Sequence, residues 1–222
     1  MSEVVHVVDD DPAVRTALAR VLTGEGMTVV LSGSTQEFMA AYDPSTCSCV
    51  VLDLRLPGDD GLQLQTRLGE RGRVPPVVFL TGCGDIPSTV RAMKAGALDF
   101  LTKPVDIDAL LEAVRRGMDQ DRRQREQDVR LGHARALMGT LTAREREVLV
   151  QVVAGRLNKQ IAADFGIAEK TIKVHRAHLM HKLGLHTVAD LVRFAGQVAA
   201  SDAGAQAGGS IGRIRDVGQK IA

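Results

Sequence analysis

Five short apolar runs alternate with amphipathic stretches over the first half of this 222-residue chain, and that alternation restricts the fold more than any other feature. The runs are Val4–Val8, Thr28–Leu31, Cys49–Leu52, Val77–Leu80 and Leu98–Leu101. Helix starts stand between them. Asp11 precedes Pro12, a cap followed by proline at the first helical position; Ser34 with Glu37 has the spacing of a capping box; Asp106 is placed to cap a fifth helix. Strands separated by helices are joined by right-handed crossovers, which put helices on both faces of a parallel sheet. The expectation is a doubly wound five-stranded α/β domain over residues 1–118. In such sheets ligands sit at the carboxyl ends of the strands.

The residues at those ends are unusual. The stretch VVHVVDDDP ends its apolar run in Asp9, Asp10 and Asp11. Three adjacent carboxylates repel one another unless a cation lies among them. The third run ends at Asp53, the fourth at Thr81, and Lys103 follows the fifth. The fold would gather Asp9, Asp10, Asp53, Thr81 and Lys103 around one crevice. A single Asp after a strand is usually a helix cap, and Asp11 is read as that; five coinciding positions are a site.

Charge divides the chain. Residues 1–118 carry 16 acidic and 11 basic side chains, whereas residues 141–200 carry 5 and 9, with four of the six histidines. Such asymmetry points to two domains with different partners, the second a polyanion. With 3% aromatics and no Trp, stacking on single-stranded bases is disfavoured. No run has the length of a membrane span and the start lacks signal-peptide order, so a cytoplasmic protein with no membrane partner is expected. Cys47, Cys49 and Cys83 read as small buried thiols rather than a metal site.

Residues 119–140 are charged and read as a partly helical linker, with breaks at Gly132 and Gly139. Residues 141–200 read as four helices. Thr142 with Glu145 opens the first and Gly155 closes it; Asn158 to Phe165 forms the second, ended by Gly166. A third runs from about Lys170 to Leu183 before Gly184, and Thr187 with Asp190 opens the last. Residues 201–222 read as a flexible tail, although Ile211, Ile214, Val217 and Ile221 keep helical spacing.

The second and third of these helices, joined through Gly166, have the form of a helix-turn-helix. At 100° per residue, Arg176, Leu179 and Leu183 fall within about 40° of Ile172, giving a buried stripe. Lys170, Lys173, Val174, Ala177 and His181 lie opposite, and His175 lies at the flank. Cations there can meet phosphate or guanine and Val174 a thymine methyl. His175, His178 and His181 recur every third residue, but the outer two are about 120° apart and do not share an ion.

The strand-end constellation resembles the receiver domain of two-component response regulators, a flavodoxin-like fold, over residues 1–118. The resemblance implies that Asp53 accepts a phosphoryl group from a sensor histidine kinase. It implies Mg²⁺ held by Asp10, Asp53 and the backbone carbonyl of Arg55, with Asp9 acting largely through water. Lys103 and Thr81 would stabilise the phosphoryl group, and Phe100 would be the switch aromatic. Haloacid-dehalogenase-type phosphatases also use an Asp nucleophile with Mg²⁺, but they need an acid where Arg55 stands, so an enzyme with turnover is not expected.

The segment LTAREREVLVQVVAGRLNKQIAADFGIAEKTIKVHRAHLMHKLGL resembles the LuxR-type helix-turn-helix. The order of domains is similar to that of NarL/FixJ regulators, nearest the FixJ-like branch, in which TGxGDIPxxVRAMKAGAxDFLxKP recurs. Carried over, Lys173, Val174 and His175 contact bases or the groove edge of double-stranded promoter DNA. Asn158, Lys159, Lys170 and Thr171 make phosphate or positioning contacts. Ala168 stands where the family often has a capping Ser. The resemblance implies a transcriptional regulator in which phosphorylation either promotes homodimerisation or frees a masked recognition helix.

Overall fold

The computed structural model describes residues 3–56, 59–70, 73–82, 90–91, 93–94 and 96–208. The chain divides into two compact units between Glu126 and Gln127.

The first unit is built on strands β1 (Glu3–Val8), β2 (Thr28–Ser32), β3 (Cys47–Asp53), β4 (Val77–Thr81) and β5 (Asp99–Thr102). They form one parallel sheet in the order β2-β1-β3-β4-β5. Each expected strand is present, with ends displaced by one or two residues. Helices α1 (Pro12–Gly24), α2 (Thr35–Ala41), α3 (Gly61–Glu70) and α4 (Ile107–Gly139) accompany it. A two-residue antiparallel pairing, Arg55–Leu56 with Asp59–Asp60, follows β3. The helix expected between β4 and β5 lies largely outside the described residues, as does Cys83; residues 90–91 and 93–94 are helical.

The sheet is covered on both faces, so its strands read as unbroken apolar runs. One face packs Val5, Val7, Cys49, Val51, Val78 and Leu80 against Leu18 and Leu22 of α1 and Leu110 and Val114 of α4. The other packs Val8, Val50, Leu52 and Phe79 against Phe38 of α2 and Leu64 and Leu68 of α3. Burial pushes the thiol of Cys47 up to about 11 and that of Cys49 up to about 12, which keeps both protonated and unreactive. Gly117 lets α4 approach β3: a Cβ there would lie 2.6 Å from Cys49 Sγ.

Three expectations are corrected. Gly132 does not break the chain; α4 continues through it to Gly139. One interior glycine costs about 1 kcal/mol, too little to end a helix flanked by Leu131, Ala134 and Leu137. Nor does the linker expected over 119–140 stand apart from the first unit, which extends through Glu126. Asp121 is buried, accepting from the Ser48 amide at 3.0 Å and from Arg73 at 2.8 Å and Arg125 at 2.6 Å. Arg125 also donates to the Ser45 carbonyl at 2.8 Å. Finally, the chain is helical through Gly208 rather than loose from residue 201; the Ile211–Ile221 spacing falls outside the described residues.

The second unit has helices α5 (Ala143–Val153), α6 (Asn158–Phe165), α7 (Glu169–Leu183) and α8 (Val188–Gly208). Thr142 and Glu145 form the capping box. Gly155, Gly166 and Gly184 take positive φ where helices stop, as the sequence required. The core gathers Val148, Leu149, Val152, Ile161, Ile172, Leu179, Leu183 and Leu191. Among the described residues no helix is long and apolar enough to cross a membrane.

Candidate functional site

Strands β1 and β3 are neighbours, paired through Val8 and Leu52. The chain leaves β1 for β2 on one side and β3 continues on the other, which opens a crevice beyond their carboxyl ends. Asp9 follows β1 and Asp53 ends β3, so the topology sets the two acids side by side. Carboxylate oxygens of Asp9, Asp10 and Asp53 lie within 4.8 Å of one another.

The three acids differ in surroundings. Asp9 is fully buried; its Oδ1 accepts the Asp11 amide at 2.9 Å and its Oδ2 accepts from Lys103 Nζ at 2.6 Å. Asp53 is also buried; its Oδ1 accepts the Arg55 amide at 2.9 Å and its Oδ2 accepts from the same Lys103 Nζ at 2.6 Å. Asp10 is exposed. Asp11 caps α1, accepting from the Ala13 amide at 2.8 Å. Burial disfavours the charged form of Lys103, but hydrogen bonds to Asp53 and Asp9 outweigh it and hold the ammonium above the ordinary lysine range.

Three carboxylates against one bridging ammonium leave an excess of negative charge in a crevice lined with oxygen donors. Those donors suit a small hard cation such as Mg²⁺, which takes carboxylates and keeps waters. The residues present therefore fit the ion.

Thr81 closes β4, is buried, and its carbonyl accepts the Lys103 amide at 2.6 Å. Phe100 is half-buried on β5, opposite Phe79 of β4, and packs on the α2/α3 side of the sheet. Gly61 lets α3 begin against the site: a Cβ would come 2.9 Å from the Asp53 carbonyl oxygen and 3.1 Å from the Phe79 ring. Sequence reasoning overlooked Gly61, and also Arg15, whose Nη1 donates to the Asp9 carbonyl at 2.6 Å. The signal for Arg15 was its place one turn beyond the cap at Asp11.

In the second unit α7 buries Ile172, Leu179 and Leu183. Lys170, Thr171, Lys173, Val174 and Ala177 are exposed, and His175 is half-buried. Val174 is 45% exposed, too much for a core valine on a helix whose other face is fully packed. Lys173 pairs with Glu169 at 3.0 Å, an exposed contact of little energetic weight that leaves the ammonium available to another partner. Arg176 donates to Asn158 Oδ1 at 3.2 Å and ties the start of α6 to α7; Lys159 is exposed beside it. Ala168 sits at the N-cap of α7 without a side-chain hydrogen bond.

Residues 5–115 match the response regulator receiver domain, and residues 139–195 match the bacterial regulatory proteins of the luxR family. The chain belongs to the two-component response regulators that join a receiver to a LuxR-type DNA-binding domain and regulate transcription. It is 44% identical over 190 residues to nodulation protein W of Bradyrhizobium diazoefficiens, covering 86% of this chain and 84% of that one. It is 43% identical over 192 residues to the transcriptional regulatory protein FixJ of Azorhizobium caulinodans, covering 86% and 90%. Among solved structures, the response regulator StyR superposes with a TM-score of 0.81 at 41% identity, covering 89% of this chain and all of that one.

Proposed function

We propose that Asp53 is the phosphoacceptor of this regulator and that a sensor histidine kinase is its donor. The observation that carries the reading is the Asp53 carboxylate, held within 4.8 Å of Asp9 and Asp10 and 2.6 Å from the Lys103 ammonium. A carboxylate oxygen of Asp53 attacks phosphorus; the N–P bond of the kinase phosphohistidine breaks, and the imidazole leaves with the electron pair and takes up a proton. When bound at the acid cluster, Mg²⁺ would supply positive charge to the phosphoryl oxygens. Asp10 and Asp53, with the carbonyl of Arg55, would hold the ion directly, and Asp9 would act through water. Lys103 supplies positive charge to the transferred group, and Thr81 donates its hydroxyl to it. Phe100 follows Thr81 inward.

Arg55 stands where a turnover phosphatase needs a general acid, so the acyl phosphate is expected to persist and serve as a signal. The altered receiver then favours a homodimer or frees the recognition helix; either needs only a few kcal/mol of differential stability. Lys173, Val174 and His175 read the groove, and Asn158, Lys159, Lys170 and Thr171 position the backbone of promoter DNA. With DNA as target and a kinase as donor, the protein works in the cytoplasm. Acetyl phosphate with Mg²⁺ tests the reading. Stoichiometric, hydroxylamine-labile label that is lost in Asp53→Asn supports it; repeated turnover, or no label, overturns it.

A further inference from the structure

Arg15 leaves α1 with its guanidinium on the backbone rather than on a carboxylate of the site. Its Nη1 donates at 2.6 Å to the carbonyl oxygen of Asp9, and that oxygen belongs to the peptide joining Asp9 to Asp10. The other polar groups of Asp9 are committed as well. Its amide donates to the Ser32 carbonyl at 3.2 Å, Oδ1 accepts from the Asp11 amide, and Oδ2 accepts from Lys103. Asp10 is exposed, and no hydrogen bond of its side chain fixes it among the described residues. The backbone before Asp10 fixes the point from which its side chain reaches the acid cluster. Arg15 braces that peptide through its carbonyl oxygen.

Gly33 supports the same assignment from the opposite side. A Cβ at residue 33 would lie 3.3 Å from Arg15 Nη1 and 3.5 Å from both Arg15 Cζ and Glu37 Oε2. Glu37 Oε2 itself accepts the Gly33 amide at 2.7 Å. The β2–α2 connection thus walls in the guanidinium, and the wall is a glycine where any side chain would press on it.

We infer that Arg15 is a positioning residue for the divalent cation: through the Asp9 carbonyl it holds the Asp10 carboxylate in the acid cluster. The inference rests on the reading that Mg²⁺ binds there. It has a distinguishing sign. A guanidinium near several carboxylates competes with a cation by charge alone, so if Arg15 were merely a nearby charge, its removal would tighten Mg²⁺ binding. A positioning role demands the reverse.

The test is Mg²⁺ titration calorimetry on the full chain, with acetyl phosphate labelling of Asp53 across Mg²⁺ concentrations. Arg15→Ala is expected to bind Mg²⁺ about tenfold more weakly, the scale of a lost outer partner of a metal ligand. Its labelling should return to the wild-type level at saturating Mg²⁺. Arg15→Lys should fall between the two, and Gly33→Ala should weaken binding in the same direction by less. Unchanged or tighter binding in a folded Arg15→Ala protein overturns the inference, as does labelling that saturating Mg²⁺ does not restore. Should Arg15→Ala not fold, Gly33→Ala decides, and wild-type affinity there overturns it. A wild-type protein that neither binds Mg²⁺ nor labels would instead overturn the phosphoacceptor reading beneath.

Discussion

Lys103 Nζ lies 2.6 Å from Asp53 Oδ2 and equally far from Asp9 Oδ2, so a single ammonium bridges the acids that end β1 and β3. Its removal leaves two buried carboxylates facing each other. Lys103→Met is expected to cost about 2 kcal/mol without divalent ions, below the usual penalty for a broken buried pair because the lysine side chain is 23% exposed. Excess Mg²⁺ should recover more stability in the variant than in the wild type, since the cation replaces the missing charge. Urea unfolding in EDTA and in Mg²⁺ reads both; equal Mg²⁺ gains in the two proteins would refute the bridge.

Asp121 joins three separate segments of the first unit, the start of β3 at Ser48, Arg73 before β4, and Arg125 one turn further along α4. Burial works against its charge, but hydrogen bonds from Arg125 and Arg73 hold its carboxyl below the usual range. Asp121→Ala should destabilise the receiver by about 3 kcal/mol, because two arginines and an amide lose a buried acceptor. A receiver ending at residue 118 should show the same loss, while one ending at residue 127 should not. Tyr42, the sole tyrosine in a chain without Trp, reports unfolding of this unit alone.

The contrast between Asp121 and the strands shows what a sequence discloses. Parallel strands buried on both faces leave continuous apolar runs, so β1 to β5 were visible within a residue or two, and their ends brought Asp9, Asp53, Thr81 and Lys103 with them. The face of α7 was legible because Ile172, Leu179 and Leu183 repeat at the helical period. Asp121 and Arg125 lie in a charged stretch that by itself reads as solvated, and the partners that bury them are tens of residues away. Arg15 was hidden for a related reason: its partner is a backbone carbonyl, which has no letter in the sequence.

His6 sits inside the α2 side of the sheet, edge-on to the Phe38 ring with centroids 5.2 Å apart, and its Nδ1 has no hydrogen-bond partner among the described residues. Burial lowers its pKa below the ordinary 6.5. The unfolded chain therefore takes up a proton before the folded one. This contribution to stability is intact above pH 6.5 and is lost as pH falls from there toward the folded pKa, at no more than about 1.4 kcal/mol per pH unit. His6→Phe should flatten that slope. An unchanged pH profile would show that His6 titrates freely in the fold.

Glu145 combines a capping box with an ion pair: it accepts from the Thr142 amide at 2.8 Å and from Lys182 at 2.7 Å. The hydrogen bond from Lys182, followed by that from the Thr142 amide, brings its carboxyl down to about 2. The sign is opposite in origin to that of a buried neutral histidine, but the direction is shared. Stability from Glu145 is complete above about pH 4.5 and is lost as pH falls toward 2. Acid titration of the second unit followed by helix circular dichroism, against Glu145→Gln, should show the wild type losing its advantage across that window.

Helix α7, proposed above to read DNA, offers a prediction in which two lysines behave differently. Lys173 stands next to Val174 on the exposed face of α7, whereas Lys159 stands near the start of α6. A base-reading lysine contributes to discrimination; a phosphate-binding lysine contributes affinity to every sequence alike. Lys173→Ala should therefore lower binding to the operator by about 1–3 kcal/mol and narrow the gap between operator and random duplex. Lys159→Ala should weaken both duplexes together and reduce the salt slope by about one counterion. Titrations of each variant against operator and random DNA at several salt concentrations separate the roles. If Lys173→Ala leaves the operator-to-random ratio untouched, the helix face that reads DNA is not the one that carries Lys173 and Val174.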